Sequence, residues 1–134
     1  MEDVFVARLM STTLHTVTPD TLVEDAAQLI LDNNISSVIV VDEDNRLEGI
    51  LTTTDFVDIV AKSQPKAQTT VERYMTTDVI TAGAQDSILS VAESMTEHGF
   101  HHMPVVDEEE GVIGMIATSD LAAYLSQTGQ LARS

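Results

Sequence analysis

The 134-residue chain contains no cysteine. Disulfides, thiol catalysis and cysteine-ligated zinc are therefore excluded. Aromatic residues make up only 4% of the chain, so a core must be built from Val, Ile, Leu, Met and Ala. Basic residues are scarce too: six Lys and Arg face 22 Asp and Glu, a net charge of −16. Such a field repels nucleic acids and anionic membranes, whose binding needs clustered Lys and Arg. No apolar run approaches the roughly 20 residues that span a bilayer. The start, Met1-Glu2-Asp3-Val4, lacks the basic region of a secretory signal. A soluble cytoplasmic protein is the expectation. The acidic residues are scattered over the whole length. That suits a general acidic surface, as in proteins of salt-loving organisms, because the Debye length falls to about 3 Å at 1 M salt. Melting temperature should then rise with potassium chloride. A dedicated acidic docking face is the alternative.

What the chain does have is a repeat. Val40-Val41-Asp42-Glu43 followed by Gly49-Ile50-Leu51-Thr52-Thr53-Thr54-Asp55 recurs, 65 residues on, as Val105-Val106-Asp107-Glu108 followed by Gly114-Met115-Ile116-Ala117-Thr118-Ser119-Asp120. At the same offset Val6 meets Val71, Arg8 meets Arg73 and Met10 meets Met75. Two copies, 1–64 and 65–134, account for the chain. Each would be marginal alone because small domains bury too little surface, so the expectation is two half-domains sharing one core.

Each copy reads β-α-β-β-α, an α/β (α+β) class. Residues 4–10 suggest one or two helical turns. His15 to Thr18 is β-prone and ends at Pro19. Asp20 or Thr21 is positioned to cap a helix to about Asn33. Its face Val23, Ala26, Ala27 and Ile30, repeated as Ile88, Val91, Ala92 and Met95, follows the i, i+3, i+4, i+7 spacing. Val38 to Val41 is a strand covered on both faces. Asp42 to Asn45 is a turn and Leu47 to Thr52 a second strand, giving a hairpin. Thr52 or Thr53 caps a second helix whose inward face is Phe56, Ile59 and Val60, or Leu121, Tyr124 and Leu125 in the other copy. Lys62 to Gln68 is a linker, and 128–134 a frayed tail.

These motifs, in this order and duplicated, resemble the cystathionine-β-synthase (CBS) domain family over about residues 4–127. Pro104-Val105-Val106-Asp107 is especially typical. The resemblance implies a CBS pair, or Bateman module, whose repeats pack by their sheets about a pseudo-two-fold axis. It implies clefts that take adenine nucleotides or related adenosyl ligands, and a homodimer stacked through helices. A carboxylate at the helix start would hold the ribose and a threonine hydroxyl the phosphate, so Asp55 with Thr52, and Asp120 with Thr118, become candidates. In the family's arrangement Asp120 faces Thr18, Val23, Ile35, Ser36 and Ser37, while Asp55 and Thr52 face Gly83, Ile88 and Phe100. His101 and His102 stand where family members often place phosphate-binding basic residues.

Local chemistry leaves alternatives open at these positions. Thr52-x-x-Asp55 sits where a strand ends and a helix begins, where free N–H groups suit an anion. Plain helix capping uses the same residue types. Ala117 replaces the threonine in the second copy, which weakens a phosphate contact there. His101-His102 replaces Ser36-Ser37, and would tie phosphate affinity to pH near the usual histidine value of about 6.5. A solvated loop, or a metal site with His98, would use the same histidines. No nucleophile elbow, P-loop or dinucleotide fingerprint is present, so no catalysis is expected. The expected activity is ligand sensing without a cofactor, with output through an unknown effector protein. The negative field favours AMP or another weakly charged adenosyl compound over free ATP. A ligand-free docking module is the competing function.

Overall fold

The computed structural model describes residues 4–62 and 69–133. In chain order the elements are α1 (Val6–Leu9), β1 (Thr16–Val17), α2 (Val23–Asn33), β2 (Ser37–Val41), β3 (Leu47–Thr52), α3 (Thr53–Lys62), a 3-10 turn (Val71–Arg73), α4 (Ile88–His98), β4 (His102–Asp107), β5 (Gly111–Ala117) and α5 (Thr118–Arg133). The linker expected from Lys62 to Gln68 lies, past Lys62, outside the described residues.

The chain forms two compact units whose boundaries cut across the sequence copies. One comprises Leu14–Val79 and Glu110–Val112, and is named here for Asp55. The other comprises Met1–Thr13, Ile80–Glu109 and Ile113–Ser134, and is named for Asp120. In the Asp55 unit, β1 pairs parallel to β2, and β2 antiparallel to β3. All four residues from Val38 to Val41 are buried, as their unbroken apolar run predicts. In the Asp120 unit β4 and β5 form a two-stranded sheet.

The lead-in segment of each copy docks by its backbone on the other copy's unit. Val6 N–H donates to Asp86 C=O at 2.9 Å, Ala7 N–H to Ala84 C=O at 3.0 Å, and Ser11 and Met115 exchange bonds at 2.8 and 3.0 Å. Shifted by 65 residues, Val71 N–H donates to Thr21 C=O at 2.8 Å, Glu72 N–H to Pro19 C=O at 3.0 Å, and Thr76 and Ile50 exchange bonds at 2.9 and 3.0 Å. The cores follow the same rule. One is Val6, Val91, Met95, Met103, Val105 and Ile116, with Ala82. The other is Val71, Ala26, Ile30, Val38, Val40 and Leu51, with Val17 packed against it.

This docking explains the glycine in the repeated motif. A Cβ at Gly49 would lie 2.7 Å from Thr76 O, and one at Gly114 would lie 2.6 Å from the Met10 sulfur and 3.1 Å from Ser11 O. Only a bare backbone lets the lead-in segment approach the strand. The helices α2 and α4 end alike, on Asn34 and Gly99 in the left-handed conformation at φ 52° and 72°, residue types that tolerate it.

Four expectations need correction. The second copy has no first strand, only a bridge of Ala82 to Val105. In the first copy Ile39 N–H donates to His15 C=O; its counterpart is Pro104, which has no N–H to give. Neither Asp20 nor Thr21 caps α2: Leu22 occupies that position without a side-chain bond. Thr21 instead accepts from Thr18 N–H at 3.1 Å and closes the preceding turn. Val60 and Leu125 do not point inward, being 73% and 52% exposed, whereas Ile59 is buried. Finally, 128–133 is not frayed: α5 continues to Arg133, in keeping with the helix-forming Gln130, Leu131, Ala132 and Arg133.

Candidate functional site

The two aspartates singled out by the repeat occupy the third position of α3 and α5. Asp55 Oδ2 accepts from the backbone N–H of Thr52 at 2.8 Å and from its hydroxyl at 3.1 Å, while Asp55 N–H points at Thr52 Oγ1 at 3.4 Å. That is a capping box, in which residue and cap satisfy each other's free donors. Asp120 Oδ2 accepts from Ala117 N–H at the same 2.8 Å. Here the box is half complete, because Ala117 has no hydroxyl to return. Both carboxylates are half-buried, and these bonds use Oδ2, which leaves Oδ1 to accept from another donor. Capping and ligand binding are thus compatible in one side chain.

The loop before each central strand is tied to the same helix start. Thr53 N–H donates to Ser36 C=O, and Thr118 N–H to His101 C=O, both at 3.0 Å. Ser36 and Ser37 are thereby held beside Thr52 and Asp55, and His101 and His102 beside Thr118 and Asp120. His101 is exposed and His102 half-buried. Burial holds the His102 imidazole below its usual pKa, the nearby His101 pushes the same way, and the Asp120 carboxylate opposes both.

The remaining candidates divide between the units. Thr18, Val23 and Ile35 belong with Asp55, and Gly83, Ile88 and Phe100 with Asp120. Val23 and Ile88 are buried first residues of α2 and α4. Ile35 is half-buried and packs against the core that holds Ala26 and Val38. Phe100 stacks on His98, with ring centroids 6.0 Å apart and planes 7° from parallel. The His98 ring nitrogen Nδ1 lies 3.0 Å from Ser94 O. Among the described residues no three His, Asp or Glu side chains are grouped to hold a metal ion. Thr18 faces Asp20 and Thr21 through its hydroxyl.

Two features escaped sequence reasoning. Thr18 and Pro19 line an open hollow of about 520 Å³ whose other walls are Asp20, Asp42, Glu43, Asp44 and Glu72. These carboxylates come from three separate stretches, so no local motif announced them. Asn45, at φ 63°, donates its side-chain amide to Glu110 O at 3.0 Å and Val112 O at 2.8 Å. Val112 N–H returns a bond to Asn45 O at 3.0 Å. The signal available was an Asn in a turn, which fits a left-handed residue but does not name the partner. Among the described residues no helix is long and apolar enough to cross a membrane.

Comparison with known proteins agrees with this duplicated architecture. A sequence model of the CBS domain matches twice, over residues 6–62 and 71–127. The chain is 32% identical over 121 residues to a homoserine O-acetyltransferase of Methanosalsum zhilinae, a match that covers 90% of this chain and 24% of that protein. It is 29% identical to the CBS domain-containing protein YhcV of Bacillus subtilis, covering 84% of this chain and 79% of YhcV. The chain therefore spans about a quarter of the acetyltransferase and most of YhcV. Among solved structures, the CBS domain pair of protein MJ0100, in complex with 5′-methylthioadenosine and S-adenosyl-L-methionine, is 27% identical. It superposes with a TM-score of 0.86, covering 95% of this chain and 99% of that one. With both copies matched and the pair reproduced as a whole, the chain belongs to the CBS domain family.

Proposed function

We propose that this chain is a regulatory module that binds an adenine nucleotide or another adenosyl compound and passes its binding state to a partner protein. The observation that carries the reading is the likeness, over 95% of the chain, to a CBS pair in complex with two adenosyl ligands. The chemistry at the helix starts supports it. Asp55 and Asp120 use Oδ2 for capping, and Oδ1 is the acceptor for a ribose hydroxyl. Thr52 serves a phosphate in one copy, and backbone N–H groups at Thr118 and beyond serve it in the other. Thr18, Ile35, Ser36, Ser37 and Phe100, with the edges of Val23 and Ile88, supply contacts to base and sugar. The net charge of −16 favours AMP or a ligand of little charge. Acetyl transfer is not proposed, since the chain matches only a quarter of the acetyltransferase.

Output requires a second chain. Val57 and Val60 on α3, and Leu125 on α5, are apolar and at least half exposed, and a second copy of this chain is the proposed cover. The competing reading, a docking module, is favoured by the acidic hollow at Thr18 and Asp42. Melting and titration calorimetry with AMP, ATP, NAD, S-adenosylmethionine and 5′-methylthioadenosine separate the two. A ligand that binds the folded state at 100 times its Kd adds about 2.7 kcal/mol. Asp120→Ala or Asp55→Ala should weaken it by about tenfold, the worth of a hydrogen bond to a charged acceptor of roughly 1.5 kcal/mol. No stabilisation by any adenosyl compound would leave the docking reading.

A further inference from the structure

The two helix starts carry the same aspartate but differ in the loop tied to them, and the difference is one of charge. Thr118 N–H holds His101 C=O at 3.0 Å, so the His101-His102 pair sits at the start of α5 with Asp120; the matching bond from Thr53 holds Ser36-Ser37 beside Asp55. Serine cannot gain a proton in the accessible range, whereas histidine can. We propose, resting on the function just stated, that the Asp120 site takes an adenosyl ligand bearing an anionic group, that His102 meets this group as imidazolium, and that binding there takes up a proton, while the Asp55 site binds without one.

Three features make His102 the proton acceptor. It is half-buried at the first position of β4, so an added charge is felt strongly. The groups bearing on it are His101 in the same segment and Asp120 on α5. The third nearby imidazole, His98, is occupied by Ser94 O and by the Phe100 ring. In the free protein burial and His101 keep His102 neutral near pH 7, against the pull of Asp120. An anion beside the ring adds a further pull toward the charged form. The pKa in the complex then lies above that of the free protein. By linkage, affinity rises as pH falls through the complex's value and levels off below the free one.

The test is titration calorimetry of the full chain with AMP and with 5′-methylthioadenosine. Each is run in two buffers of different ionisation enthalpy between pH 5.5 and 7.5, on wild type, His102→Gln and His102→Lys. The AMP phosphate titrates near pH 6 itself, but its contribution is common to all three proteins and cancels. AMP should take up more protons with wild type than with His102→Gln, and the ratio of their affinities should grow severalfold from pH 7.5 to 5.5. His102→Lys should bind AMP tightly without that added dependence. The uncharged thioether ligand should show equal affinity and equal proton uptake in all three. Equal proton uptake of AMP by wild type and His102→Gln overturns the proposal, as does the same linkage with 5′-methylthioadenosine. If 5′-methylthioadenosine binds and AMP shows no linkage, only this inference fails; if neither binds, the functional reading fails first. Should His102→Gln melt below the working temperature, the comparison of His102→Lys with wild type decides alone.

Discussion

The Asp55 unit and the Asp120 unit are two answers to one packing problem. Their buried positions correspond at a fixed offset of 65 residues: Ala26 with Val91, Ile30 with Met95, Val38 with Met103, Val40 with Val105 and Leu51 with Ile116. Their differences gather elsewhere, at the cap (Thr52 against Ala117), the loop (Ser36-Ser37 against His101-His102) and the first strand (Thr16-Val17 against a bridge at Ala82). Interiors are close-packed and resist change, so divergence collects where side chains meet solvent or a ligand. Where the copies agree, the residue supports the fold; where they part, it is a candidate for recognition.

Cavity-forming substitutions should break the comparison least and stability most. Leu51→Ala and Ile116→Ala each truncate a side chain with no exposure, and each should lose about 2–5 kcal/mol in urea unfolding. A difference of more than a few kcal/mol between them would show that equivalent positions are not equivalently packed. The motif glycines should sharpen it. Gly49→Ala drives a Cβ into Thr76 O and the Met75 side chain, while Gly114→Ala meets first the flexible Met10 sulfur. Overpacking of this kind costs about 1–3 kcal/mol, with Gly49→Ala the more damaging, and equal losses would refute the distinction.

Smaller still is the cap. Thr52→Ala makes the first copy like the second and should lose about 1 kcal/mol, whereas Ala117→Thr completes a box at Asp120 and should gain a comparable or smaller amount. Thermal melting of the two variants and their double mutant measures both. The smallest effect is the titration of the loop. His102 has its pKa lowered on folding by burial and by His101, so protonation favours the unfolded chain. Stability from this group is present above the ordinary histidine value of about 6.5 and falls as pH drops through it toward the lower folded value. Wild type minus His102→Gln, compared in unfolding free energy at pH 7.5 and 5.5, should reveal that loss, and Ser37→Gln should not.

Much of this was legible in the sequence. The helical faces of α2 and α4, the unbroken strand Val38 to Val41 and the hairpin around Asp42 follow from periodicity and turn chemistry, and the structure keeps them. Asp55 and Asp120 were found because the repeat set them in register. The inward face of α3 was read one residue too wide, since Val60 is as apolar as Ile59 yet exposed; composition cannot tell a core residue from one awaiting a partner. The cap of α2 was misread because Thr21 is a good cap by type, but its hydroxyl serves Thr18. The acidic hollow and the Asn45 clasp join residues far apart in the chain, and periodicity is blind to such meetings.

What the sequence determined by itself is the repeat, and with it the family, the element order and the paired aspartates, because side-chain pattern is local information carried by every residue. What only the tertiary structure decided is which lead-in segment completes which unit. Val6 and Val71 are the same residue at the same place in their copies, and the bonds that dock them run to the main-chain carbonyls of Asp86 and Thr21. A backbone carbonyl carries no mark of the side chain beside it. Either segment could satisfy either set of acceptors, and nothing short of the folded chain, with its loop lengths and its one arrangement of neighbours, distinguishes them.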